Sequence, residues 1–146
     1  MSRSFLVFRL LPGDDLYESL VAKASESPEG FRSFAIVTCV GSLKQCKVRL
    51  AGATASNQAT KIIPGPLEIV SLIGTIAHDK AHIHISVSDK EGLTHGGHLM
   101  SGSTIDTTAE VVLANIESLA GVTLTREMDH QTGFKELCVN PLPTTK

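Results

Sequence analysis

The sequence predicts an α/β chain, of the type in which one early helix is followed by a succession of strands. Three observations carry this reading. Leu16, Leu20, Val21 and Ala24 recur at helical spacing. Runs rich in Val, Ile, Thr and Phe, several alternating with period two, fill most of the remainder. Clusters such as Pro12-Gly13-Asp14-Asp15 and Asp89-Lys90-Glu91-Gly92 punctuate those runs at turn-like intervals.

The first strand spans residues 5–11, and the Asp pair after Pro12-Gly13 is placed to cap a helix over about 15–26. Glu18, Lys23 and Glu26 face water there, and Ser27-Pro28-Glu29-Gly30 ends it. A strand over 33–39 is expected to turn at Gly41-Ser42. A second, 45–51, alternates outward Lys47 and Arg49 with inward Cys46, Val48 and Leu50, as in a meander. Residues 52–60 read as a loop, and Pro64-Gly65-Pro66 as the entry to the next strand. Over 67–77 apolar residues occupy both parities, Leu67, Ile69 and Ile73 on one face and Val70, Leu72 and Ile76 on the other. A strand buried on both faces needs two covering layers, here the helix and a second subunit.

Strands are further expected over 81–88, 93–99, 106–115 and 122–128, with a short turn at 118–121. The segment 106–116 is ambiguous, since Val111, Val112, Leu113 and Ile116 favour a strand while Ala109, Glu110, Ala114 and Glu117 tolerate a helix. Residues 137–146, through Asn140-Pro141-Leu142-Pro143, read as a frayed tail on one domain of residues 1–146.

Thirteen basic against fifteen acidic residues give a net charge of −2, which offers no general attraction to phosphate backbones or anionic membrane. The five arginines are dispersed and aromatic residues are few, so DNA is disfavoured as a partner. No apolar stretch is long enough to span a bilayer, and the start lacks the pattern of a secretory signal, which predicts a cytoplasmic protein, with the nucleus as the alternative, and no membrane contact. Cys39, Cys46 and Cys138 show no CxxC spacing and read as free thiols.

The chemistry is concentrated in the histidines. Between residues 81 and 88, His82, His84, Ser86 and Ser88 share one face of a strand and Ile83, Ile85 and Val87 the other. Two imidazoles thus point the same way, and His98, after the Gly96-Gly97 pair, is the natural third ligand for a zinc-like ion with a fourth position open. The alternative is three histidines that satisfy one another and water on a polar sheet face. His95 reads as a loop residue or as a partner to the site.

Glu68, inside the doubly apolar strand, is the candidate general base beside a metal-bound water, with an ion pair to Arg49 or an exposed position as the alternative. Asp106 is a second, weaker candidate. No Gly-x-Ser-x-Gly elbow, GxGxxG or P-loop is present, so neither nucleophilic serine chemistry nor a phosphate cradle is indicated.

The order of six short motifs resembles the plant-and-prokaryote conserved (PPC) domain over nearly the whole chain. They are Pro12-Gly13-Asp14-Asp15-Leu16, Val40-Gly41-Ser42-Leu43, Leu67-Glu68-Ile69-Val70-Ser71-Leu72-Ile73-Gly74, His82-Ile83-His84, Gly96-Gly97-His98-Leu99 and Thr108-Ala109-Glu110-Val111-Val112. The resemblance implies a compact α/β fold of the α+β type, with a mainly antiparallel sheet flanked by a helix, assembled as a homotrimer. It also suggests a metal ion at the histidine cluster, as in members of the family that keep HxH and GGH. The plant nuclear members, which bind DNA through AT-hooks, lack these histidines, and this chain has no AT-hook.

Three function classes follow: a trimer with a divalent metal, zinc first, in an inter-subunit pocket that binds or transforms a small molecule; a trimeric interaction module without chemistry; and a DNA-associated regulator, which the charge opposes.

Overall fold

The computed structural model describes residues 3–143. Strand β1 (Phe5–Leu10) leads to helix α1 (Leu16–Ser25), followed by β2 (Ser33–Arg49), β3 (Thr60–Ala77), β4 (Lys80–Ser88), β5 (Thr94–Leu99) and β6 (Thr104–Asn115). A short helix α2 (Ile116–Ala120) then precedes the strands β7 (Val122–Met128) and β8 (Lys135–Pro141). The α+β class with a mainly antiparallel sheet is therefore observed.

Six strands form one antiparallel sheet in the order β1-β6-β2-β3-β4-β5, and β7 pairs with β8 in a separate hairpin. The sheet also closes on itself. Along one edge β2 pairs first with β6, from Phe34 to Gln45, and then with β5 through Val48↔Leu99 and Arg49↔His98. Strands β2, β3, β4 and β5 thus form a ring, and this closure brings the end of β2 to the GGH segment.

Asp15 caps α1, its Oδ1 accepting from the Glu18 backbone N at 2.9 Å, and its Oδ2 also takes the Gly102 N. The buried face of the helix, Leu16, Leu20 and Ala24, joins a core that includes Phe34, Leu43, Ile76, Ile83, Val87, Leu99 and Leu113. Cys39 and Cys46 are buried in the same core, where desolvation pushes their thiols up to about 12 and about 11. These are inert free thiols, and Cys138 is also unbridged.

Several expectations are corrected. Gly41-Ser42 is not a turn: β2 runs through it as one strand, bent by register shifts against β6. Glycine stands at 41 because a Cβ there would collide with the Thr108 carbonyl. Pro64-Gly65-Pro66 lies within β3, in a stretch that pairs with β2 but not with β4, and that open edge tolerates prolines.

The segment 67–77 is not buried on both faces within one chain. A register shift between Ile69 and Ser71 leaves Val70 as the extra residue of a bulge, so Leu67, Ile69, Leu72 and Ile76 all face the core. Val70 and Ile73 point outward and are 58% and 60% exposed. Residues 116–120 form α2, capped by Asn115, where only a turn is expected. Residues 137–141, expected to fray, pair in β8 with β7 from Val122↔Pro141 to Met128↔Lys135, and residues 144–146 lie outside the described part. Among the described residues no helix is long and apolar enough to cross a membrane.

Candidate metal centre

Strand alternation sets the site. Ile83, Ile85 and Val87 are buried in the core, which turns His82 and His84 to the outer face of β4. Strand β5 lies alongside in the register His84↔His98, while His98 is paired on its other side with Arg49. The two glycines before His98 permit this approach, because a Cβ at Gly96 would stand 2.5 Å from the Ile85 carbonyl and one at Gly97 would stand 2.7 Å from the Arg49 carbonyl.

One ring nitrogen from each of His82, His84 and His98 lies within 4.8 Å of the others. Nε2 of His82 and Nε2 of His84 are 3.3 Å apart. Two nitrogens held at ~2.0–2.1 Å by one tetrahedral ion would be separated by about 3.4 Å, so the spacing of this pair, here that of a hydrogen bond between the rings, also fits two ligands. The donor set, three imidazoles with one side open, fits a zinc-like ion. Each ring must be neutral to ligate, and both flanking rings are biased that way. Burial lowers His98 from 6.5 to about 4, aided first by the charge of Arg49 and then by His82 and His84. His82 is lowered by burial, then by His84 and Arg126, against a smaller opposing pull from Glu136.

The hairpin of β7 and β8 folds over this face. The Ser33 hydroxyl accepts from the Leu124 backbone N at 2.9 Å, and Arg126 Nη2 donates to Thr75 Oγ1 at 2.9 Å. Thr75 is the register partner of His82, so Arg126 is carried to the histidines. Phe134 lies under the Arg49 guanidinium, 5.3 Å from ring centroid to Cζ. A cavity of about 240 Å³ opens between hairpin and sheet, lined by Tyr17, Arg49, His82, His98, Arg126, Phe134 and Glu136, with Lys80 and Lys135 at its wall.

Sequence reasoning brings together the three histidines that the structure also groups. It does not find the hairpin wall, Arg126, Phe134 and Glu136, because those residues sit in the segment read as a strand and tail without a partner. The usable signal is the turn chemistry at residues 129–133, where Asp129 Oδ1 accepts from Gln131 N at 2.7 Å. Glu68 is exposed and stands opposite Ser88, at the far end of β4 from His82 and His84, and it makes no ion pair with Arg49. It borders a different cleft with Asp106, so neither acid joins the histidines. His95 bonds Asp89 at 3.0 Å, also away from the cluster.

Comparison with known proteins follows the same outline. Two Synechococcus proteins named bifunctional protein GlmU are 38% and 41% identical over 92% and 88% of this chain. The chain spans about a fifth of the length of those relatives, 20% and 19%. A hypothetical protein from Salmonella enterica superposes with a TM-score of 0.83 at 34% identity, covering 94% of this chain and 93% of its own. The metal-containing protein from Archaeoglobus fulgidus superposes with a TM-score of 0.74 at 27% identity over 92% of both chains. A plant- and prokaryote-conserved (PPC) protein of Pyrococcus horikoshii shares the fold, with a TM-score of 0.70 at 24% identity over 90% of both chains. The family model of the Plants and Prokaryotes Conserved (PCC) domain matches residues 2–117. This chain therefore belongs to the PCC domain family.

Proposed function

We propose that this chain is a homotrimeric, cytoplasmic metal-binding protein. In this reading His82, His84 and His98 hold one divalent ion, zinc first, beside a pocket for a small molecule near a subunit boundary. The observation that carries it is the convergence of three ring nitrogens within 4.8 Å on one sheet face. The similarity to the Archaeoglobus protein, itself called metal-containing, supports it.

Self-association is supported by the outward row Val37, Val40, Val70 and Ile73, each between 55% and 60% exposed on adjacent strands β2 and β3. Ile73 is the register partner of His84 and borders a cleft with His82 and His84, which sets the apolar row against the metal site. Buried free thiols at Cys39 and Cys46 suit a reducing compartment. The net charge of −2 gives DNA no attraction to the chain as a whole.

Elemental analysis of protein purified without added metal or chelator tests the metal reading, followed by titration with Zn, Mn and Ni. About one ion per subunit is expected. If no ion binds up to about a millimolar, the metal reading fails and a trimeric interaction module takes its place.

A further inference from the structure

Two guanidinium groups beside the histidines have no carboxylate partner. Arg49 Nη1 donates to Gln58 Oε1 at 3.1 Å, and its Nη2 reaches His98 Nδ1 only at 3.5 Å. Arg126 bonds the neutral hydroxyl of Thr75. Among the described residues neither forms an ion pair with an Asp or Glu. Lys80 and Lys135 line the same cavity, where Glu136 is the one acid among the lining residues. Four cations thus surround about 240 Å³ against a single carboxylate, before an ion is added. A concave site of that sign concentrates anions.

A guanidinium only donates, so Arg49 can bond His98 only where Nδ1 keeps a lone pair. A neutral imidazole has one such nitrogen. If an ion takes that lone pair, the other nitrogen carries the proton, and Arg49 loses its acceptor and is left free for another.

We propose that Arg49 and Arg126 form an oxyanion site beside the three histidines, so that the cavity takes a small molecule bearing a carboxylate or phosphate group. Phe134, stacked on Arg49, gives that molecule an apolar wall. The coupling to zinc rests on the metal reading above, whereas the oxyanion site itself does not. Because linkage is reciprocal, zinc tightens the anion and the anion tightens zinc.

Calorimetric titration of the whole chain with inorganic phosphate and with malonate tests this, once after chelator treatment and once after zinc loading. Tighter malonate assigns the group to a carboxylate, and tighter phosphate to a phosphate. Arg126→Gln is expected to weaken the preferred anion about tenfold or more, the loss of a charge-assisted hydrogen bond, with zinc content unchanged. Arg126→Lys keeps the charge without the fork and recovers part of the loss. Arg49→Gln is expected to weaken the anion and to remove the gain that zinc provides.

Unchanged binding in Arg126→Gln overturns the proposal, as does wild-type protein that binds neither probe below about 10 mM. Protein that holds no zinc yet loses phosphate or malonate on Arg126→Gln overturns the metal reading and leaves the oxyanion site standing. Protein that holds zinc and ignores both anions does the reverse.

Discussion

His84 and His98 face each other as a register pair across β4 and β5, with ring centroids 5.8 Å apart, although fourteen residues separate them in the chain. The third ring, His82, lies 5.1 Å from each of the other two. Sheet register, and not a local motif, thus assembles the triad, and its consequences are measurable.

Removing one ring should empty the site without unfolding the chain. His84 is exposed, so His84→Ala is expected to leave the circular dichroism spectrum unchanged while metal content falls from about one ion per subunit to about a tenth of that. His95→Ala, which removes a ring bonded to Asp89 outside the cluster, should keep its ion. Equal loss in both variants would contradict the assignment of ligands.

Gly97→Ala tests the approach of the strands. The new methyl would meet the Arg49 carbonyl at 2.7 Å and the Val48 Cβ at 3.0 Å, both fixed parts of the closed ring. Overpacking of this kind costs about 1–3 kcal/mol, read as a lower urea midpoint. Zinc affinity should fall with it, since His98 is the next residue. An unshifted midpoint would mean that β5 can move aside.

The His98 ring gives a pH signature. Its proton affinity is held down by burial first and by Arg49 next, to about 4 against 6.5 for an ordinary imidazole. The unfolded chain therefore binds that proton more readily than the folded one. The stabilisation from this group is complete above about pH 6.5, is lost as pH falls towards about 4, and does not change further below that. In metal-free protein the His98 ring resonances should titrate near 4, and Arg49→Gln should move them upward. Titration near 6.5 in the native chain would contradict the burial described.

Two neighbouring aspartates should separate association from folding. Ile73 is exposed on the outer row and Leu72 is buried, 4% exposed, in the core. Ile73→Asp is expected to convert a trimer of about 46 kDa to folded monomer by light scattering, whereas Leu72→Asp should unfold the chain. A wild-type chain that is monomeric at micromolar concentration would remove the trimer from the proposal.

The legible part of the sequence was the part governed by strict period. Alternation around His82 and His84 gives their shared face, because side chains on a regular strand must alternate. The capped helix is equally legible, since Asp15 and the Leu16, Leu20, Ala24 stripe are local signals. Bulges are not local in this sense. One extra residue at Val70 reverses the parity of everything after it, so Ile69 and Leu72, read on opposite faces, share the core. Glu68 lies before the bulge and keeps its parity: between buried Leu67 and Ile69 it faces outward, the exposed position given above as the alternative to a buried base. The cavity wall was hidden because Arg126 and Phe134 reach partners, Thr75 and Arg49, across more than fifty residues of chain.

The hairpin of β7 and β8 lies beyond residue 117, where the family match ends, yet it supplies Arg126, Phe134, Lys135 and Glu136 to the cavity. The histidines belong to β4 and β5, inside the matched part. The ligands proposed for the ion thus all lie inside the matched part, whereas the anion proposed for the cavity meets Arg49 from inside it and Arg126 from outside. On the proposed reading, exchanging residues 122–141 between relatives would change the lining at Arg126, Phe134, Lys135 and Glu136 and leave the three imidazoles and Arg49 in place.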